Sequence, residues 1–202
     1  MNAKEFHNKL VQGYFRPIYS VIAENILKKI QTKGGICADI GCGSGNLGIE
    51  IARKSNFKVF NIDPNKDFIE LSISQTIENN LTDQVISLKG SAEHIPLCSN
   101  SIDLVVSRGS IYFWKDQLKG LLEVYRIMKP GGFAYIGGGM GNTFLAQKIN
   151  QQLSTDLNWL ARKNERYRKN LPIHHKLLMK ASGISNWELE SSQEGTWILI
   201  TK

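Results

Sequence analysis

Between residues 36 and 138 the chain repeats one pattern: a short apolar run, then a longer stretch whose apolar residues recur at helical spacing. The runs are Ile36–Ile40, Lys58–Ile62, Val85–Lys89, Ile102–Ser107 and Phe133–Gly138, and the helix-like stretches between them are Leu47–Ser55, Lys66–Asn79 and Gln117–Met128. A strand that returns through a helix comes back in its original direction, so this alternation predicts a parallel sheet covered on both faces. The run IDLVVS carries its only acid near the start, as expected of a strand buried on both sides. Upstream, Ile18, Ile22, Ile26, Leu27 and Ile30 mark a helix, with Pro17 in its first turn and Gly34-Gly35 at its end. Downstream, helical segments over Thr143–Lys169 and Pro172–Ser182 precede two β-type runs, WELESS and TWILIT, joined through Gln193-Glu194-Gly195. That pair predicts a closing antiparallel hairpin. The expectation is an α/β chain with a seven-stranded, mostly parallel sheet.

At 202 residues the chain suits one domain, read here as residues 1–202, with no repeat or linker to divide it. No apolar run approaches the roughly 20 residues needed to span a membrane. The opening MNAKEFHNKLVQGYF lacks the apolar stretch of a secretory signal, which makes the cytoplasm the expected location. Cys37, Cys42 and Cys98 have no metal-like spacing and read as reduced thiols packed as small hydrophobes. The net charge of +7 allows polyanion binding without requiring it. Its densest piece, Ala161–Asn170, reads as a solvated helix face, with RNA contact as the alternative.

The segment Ala38-Asp39-Ile40-Gly41-Cys42-Gly43-Ser44-Gly45-Asn46 lies between an expected strand and an expected helix. Its alternating glycines allow a tight turn and close approach of a ligand, and the helix behind it points free N–H groups at whatever sits above. Dinucleotide sites have such turns as well, but with G-x-G-x-x-G spacing; here the spacing is G-x-G-x-G. Asp39 precedes the first glycine, where a carboxylate can accept a hydrogen bond from the amino-acid part of a zwitterionic cofactor.

On these residues the chain resembles the class I S-adenosylmethionine-dependent methyltransferases, over about Ile18 to Phe133; SRGSIYFW (Ser107–Trp114) with YIGGGMGN (Tyr135–Asn142) resembles more narrowly the small type 11 enzymes related to menaquinone and ubiquinone C-methylation. The resemblance implies a Rossmann-like fold, with S-adenosylmethionine as cofactor and S-adenosylhomocysteine as product. It assigns Asp39, Gly41, Cys42, Gly43 and Gly45 to the cofactor loop, and Asp63, followed by Pro64, to the two ribose hydroxyls. Taken alone, Asp63 before Pro64 reads equally as a helix cap. In GSAEHIPLCSNSIDLVVS the resemblance lays Ala92 and Glu93 against the adenine; Ser91 stands where the family usually has an acid, and its hydroxyl can still accept a hydrogen bond. Met128-Lys129-Pro130-Gly131-Gly132 reads as a structural turn that stops a helix and leads into the fifth strand.

Ligands enter open α/β sheets at the carboxyl ends of the strands, which brings forward Ser107, as a cofactor contact, and Arg108, Tyr112 and Trp114 after the fourth strand. Arg108 is a candidate to neutralise an anionic acceptor, or else a loop-bridging arginine. Tyr112, Phe113 and Trp114 either wall an apolar pocket or pack in the core. Tyr14 and Phe15 are candidates for a lid over the cofactor, or for an aromatic staple. His94 is a weak candidate base, and His174-His175 lack the further ligands of a metal site, so no metal is expected. The N-terminal 33 residues and residues 143–182 read as lids, with Arg162, Tyr167 and Arg168 placed to select the acceptor. A basic lid suits a small polar or anionic acceptor better than a quinone-like one. Methylation of RNA or protein is the second enzymatic reading; a cofactor-binding module without turnover and an NAD-dependent reductase are the others.

Overall fold

A computed structural model describes residues 2–30, 34–157, 159–161, 164–165 and 171–202. The expected alternation is present, with no strand or helix boundary between residues 36 and 138 shifted by more than five residues. Strands β1 (Gly34–Ile40), β2 (Asn56–Asp63), β3 (Val85–Lys89), β4 (Ile102–Arg108), β5 (Met128–Gly139), β6 (Trp187–Ser192) and β7 (Gly195–Thr201) form one sheet in the order β3-β2-β1-β4-β5-β7-β6. The first five pair in parallel, while β7 runs antiparallel to β5 and to β6. The chain reverses direction in sheet order between β1 and β4, and the crevice at such a switch point receives ligands.

Ahead of the sheet lie α1 (Ala3–Phe6), a nine-residue π-helix (His7–Phe15) and α2 (Arg16–Lys29). Helices α3 (Asn46–Lys54), α4 (Lys66–Glu78), α5 (Gln117–Ile127), α6 (Thr143–Gln152) and α7 (Pro172–Ser182) follow. The period-two alternation of the strands divides the core into two layers. Cys37, Leu104, Val106 and Tyr135 face one side with Ile18, Ile22 and Ile26 of α2 and Leu47 and Ile51 of α3. Ala38, Ile40, Val105 and Ala134 face the other, with Leu121 and Val124 of α5 and Met179 of α7.

Three local expectations need correction. Gly34 and Gly35 do not close the first helix; they open β1, and Gly35, at φ +128°, lies against the Asp103 side chain, which accepts from Ile36 N–H at 2.8 Å. The segment Met128–Gly132 is part of β5, made irregular by a register shift opposite Ile102–Leu104. The helix beginning at Thr143 stops at Gln152, where the Leu153 N–H caps it on Ile149 and Gln151. The acceptor-selecting candidates Arg162, Tyr167 and Arg168 lie outside the described residues.

Candidate functional site

At the carboxyl ends of the parallel strands lies a cavity of about 1420 Å³. Its floor is the glycine loop after β1. Gly41, Gly43 and Gly45 all have positive φ, at +69°, +55° and +80°, a region L side chains rarely adopt. Each glycine has a different surrounding. A Cβ on Gly41 would meet Ser110 at 2.3 Å, one on Gly45 would meet Ser72 at 2.3 Å, and one on Gly43 would meet nothing within 4 Å. Gly43 is thus the point where the backbone lies open to the cavity.

The loop is fastened to the end of β2. The N–H groups of Gly41 and Cys42 both donate to Ile62 O, at 2.8 and 3.0 Å. Asp63 Oδ2 accepts from Gly43 N–H at 2.9 Å, and its Oδ1 accepts from Asn65 N–H at 2.9 Å. Each carboxylate oxygen therefore keeps lone-pair capacity for a second donor. Burial raises the Asp63 carboxyl above its ordinary range, partly offset by those two backbone donors. Asp39, buried at the end of β1, accepts from Gly48 N–H at 3.2 Å, and burial pushes its carboxyl up to about 7. Helix α3 starts from Gly45, which has no side chain to cap it; Asp39 takes the Gly48 N–H of its first turn, and those of Asn46 and Leu47 have no side-chain cap.

Asp39, Gly41, Cys42, Gly43, Asp63, Pro64, Ser91, Ala92 and Glu93 line the cavity together. Three other expected cofactor residues do not. Tyr14 packs half-buried against the core, Gly45 lies beneath the loop against Asn61 and Ser72, and Ser107 is fully buried, hydrogen-bonded to Ser110 Oγ at 2.6 Å. Glu93 braces the neighbouring loop: its Oε1 accepts from the N–H groups of Lys115 (2.6 Å) and Asp116 (3.2 Å). Burial would raise the Glu93 carboxyl, but these and other hydrogen bonds outweigh it and hold it below its usual value.

The candidates after β4 also reach the cavity. Arg108 lies with its Cζ 5.4 Å from the Phe15 ring centroid and 5.0 Å from that of Tyr19. Its Nε donates to Gly139 O at 3.2 Å and its Nη1 to Tyr19 Oη at 3.3 Å. Tyr112 is buried beside Gly138, Phe113 is exposed, and Trp114 Nε1 donates to Ser110 Oγ at 3.0 Å. His94 stands exposed at the rim, its Nε2 3.1 Å from Lys119 Nζ. On α7, His175 is buried and depressed to about 4 by burial and by His174, which stands exposed outside the cavity. Burial pushes the Cys37 and Cys42 thiols well up, so neither offers a ready thiolate.

Sequence reasoning missed several groups. Ser110 is the hub of the β4 loop, joining Ser107, Trp114 and, at 2.8 Å, Ile40 O. Within the N-terminal segment, read above as a lid, Asn2, Ala3, Phe6 and Val11 line the cavity beside the expected Phe15. The segment is held by His7 Nδ1 on Ser44 Oγ at 2.8 Å and by the Phe6 ring edge-on to Phe68. The β6–β7 turn supplies a further wall, Ser191–Thr196. That wall was legible in principle, because a strand antiparallel to β5 must begin at the β5 carboxyl end.

The matching family model is that of a methyltransferase domain, over residues 38–136. A solved structure from Methanococcus maripaludis, provisionally assigned as an S-adenosyl-L-methionine-dependent methyltransferase, is 36% identical and superposes with a TM-score of 0.89, covering 99% of this chain and 91% of that one. The chain belongs to the class I S-adenosylmethionine-dependent methyltransferases. Its cofactor is S-adenosylmethionine, and the site fits it: an open glycine, a helix N-terminus that starts from a glycine and a buried carboxylate at the next strand end meet at one cavity. Curated relatives of this methyltransferase match over shorter stretches. A ribosomal protein arginine N-methyltransferase of Schizosaccharomyces pombe is 36% identical over 49% of this chain and 19% of its own length. A demethylmenaquinone methyltransferase of Lactobacillus johnsonii is 30% identical over 54% of this chain and 46% of its own. The methyltransferase thus spans less than half of these relatives. No helix among its described residues is long and apolar enough to cross a membrane.

Proposed function

We propose that this enzyme methylates a small-molecule acceptor held inside the cavity, within a single domain whose N-terminal segment is the lid. The observation that carries the reading is the roof: Phe6, Val11 and Phe15 line the site from the N-terminal segment, leaving a part-covered cavity rather than a flat face for a macromolecule. About 1420 Å³ exceeds the ~300–1,000 Å³ of an ordinary ligand pocket, which suits two ligands side by side. The arginine and quinone relatives pull in different directions, and the roof favours the smaller acceptor.

When bound, S-adenosylmethionine supplies an electrophilic methyl group on a sulfonium centre, open to in-line displacement. The chain's own residues then bind, orient and exclude water. Asp63 receives the ribose hydroxyls on the lone pairs its backbone donors leave. Asp39 and the α3 N-terminus face the charged amino-acid end. Ser91 and Ala92 flank the adenine, with Glu93 holding that loop in place. Arg108, Tyr112 and His94 border the acceptor space; alignment and dryness carry much of such a reaction, so a general base is needed only if the acceptor must lose a proton.

Calorimetric titration is expected to give micromolar binding of S-adenosylmethionine and S-adenosylhomocysteine and none of NAD, with at least tenfold weaker binding in Asp63→Ala. Methyl-labelled cofactor incubated with small-metabolite, protein and RNA fractions should then label the small-molecule fraction. Label confined to protein or RNA would overturn the acceptor class.

A further inference from the structure

We propose that Arg108 is the specificity anchor of this enzyme and takes an anionic oxygen group, carboxylate or phosphate, on the methyl acceptor. The proposal rests on the small-molecule reading above. Arg108 ends β4, with β1 and β2 on one side of it and β5 and β7 on the other. The glycine loop and Asp63 belong to the first side. The guanidinium reaches to the second, where its Nε donates to Gly139 O at the end of β5. Phe15 and Tyr19 present their rings to it, and Tyr19 Oη takes one Nη1 hydrogen.

Those contacts fix the plane of the group without neutralising it. A guanidinium has five N–H donors in a rigid fork and stays charged at any working pH. Gly139 and Tyr19 take two of the five, and among the described residues no carboxylate lies within ion-pair distance. The carboxylate of Asp39, one strand away, accepts from Gly48 N–H instead. The Arg108 charge is felt at the Asp39 carboxyl, but no carboxylate touches the fork, and a half-buried cation without a contacting partner is costly unless a ligand supplies one. Carboxylate and phosphate oxygens match the fork in a bidentate way. Phe15 and Tyr19 face it, and Tyr112, Met140 and Ala146 line the same cavity, so the acceptor pairs an oxyanion with an apolar body. The cofactor's own carboxylate is the other possible source of that oxyanion. Arg108 is tied to Gly139 at the β5 end, which favours the acceptor, while its charge is also felt at Asp39, so the test below separates the two sources.

The test uses the full chain loaded with S-adenosylhomocysteine, titrated with benzoate, phenyl phosphate and the neutral benzamide and read by saturation-transfer NMR. Wild type should bind at least one of the anions tenfold or more tightly than benzamide. Arg108→Gln should abolish that preference while keeping S-adenosylhomocysteine affinity within threefold, and Arg108→Lys should keep the preference in weakened form. No anion preference in wild type, or a preference surviving in Arg108→Gln, overturns the proposal. So does a loss of more than threefold in S-adenosylhomocysteine affinity in both variants, which would give Arg108 to the cofactor. Failure of the wild type to bind S-adenosylhomocysteine at all would instead strike the methyltransferase reading on which the proposal stands.

Discussion

At the scale of single residues, Asp39 carries the clearest pH signature. Its folded carboxyl titrates at about 7 against an ordinary 3.8, because burial disfavours its charged form. A raised carboxyl binds its proton more tightly when folded, so its favourable contribution is complete below about pH 4 and is lost as pH rises through 7. Asp39→Asn removes that penalty while still accepting from Gly48, and should be more stable than wild type at pH 8 by on the order of 2 kcal/mol. Urea unfolding at pH 5 and pH 8 measures this; the gain should shrink towards pH 5. A cationic ligand group beside Asp39 favours the ionised form. Cofactor binding near pH 7 should therefore release protons, seen as calorimetric enthalpies that differ between phosphate and Tris. The glycines separate the same way. Gly43→Ala is expected to cost about 1–2 kcal/mol of stability for its left-handed φ alone, yet to weaken the cofactor at least tenfold. Gly41→Ala adds a clash with Ser110 and should destabilise more.

At the scale of elements, the N-terminal segment is a strap over the site. Asn2 and Glu5 cap its first turn reciprocally, and the π-helix that follows, a form frequent at functional sites, sets His7 against Ser44. Burial lowers the His7 pKa, and the Glu78 charge only partly opposes it. A depressed histidine contributes stability above its unfolded pKa of about 6.5 and loses it as pH falls. Hydrogen exchange at residues 3–15 should accordingly quicken below pH 6.5, and His7→Ala should show fast exchange at every pH. A lid was expected of this segment, but its His7 tie was not legible in the chain, because nothing local distinguishes His7 from a surface histidine; its partner is 37 residues away. The sheet was legible for the opposite reason, since β1 to β4 carry their burial in their own apolar runs. The strand-to-helix loop at the cavity floor could be read as well, from Asp39 and three glycines between a strand and a helix. Ser110 could not, because its importance lies in contacts to Ile40, Ser107 and Trp114 that only the closed sheet creates.

At the scale of the whole molecule, ligand binding and folding share one free energy. S-adenosylhomocysteine at a hundred times its dissociation constant should add about 2.7 kcal/mol, a rise in melting temperature of roughly 5–10 °C for a chain of this size. Asp63→Ala should lose most of that rise without losing its own cooperative transition. The exposed ion pair Lys9–Asp156 contributes little by comparison, and replacing Lys9 should move the melting temperature by less than about 2 °C. The double fastening of Gly41 and Cys42 to the single carbonyl of Ile62, with Gly43 tied to Asp63, has a thermodynamic consequence. The loop has little disorder left to surrender when a ligand arrives, so affinity is not spent on arranging its own receptor. Damage to the end of β2 would then be felt first as a slower, entropically opposed association, before any contact to the ligand is lost.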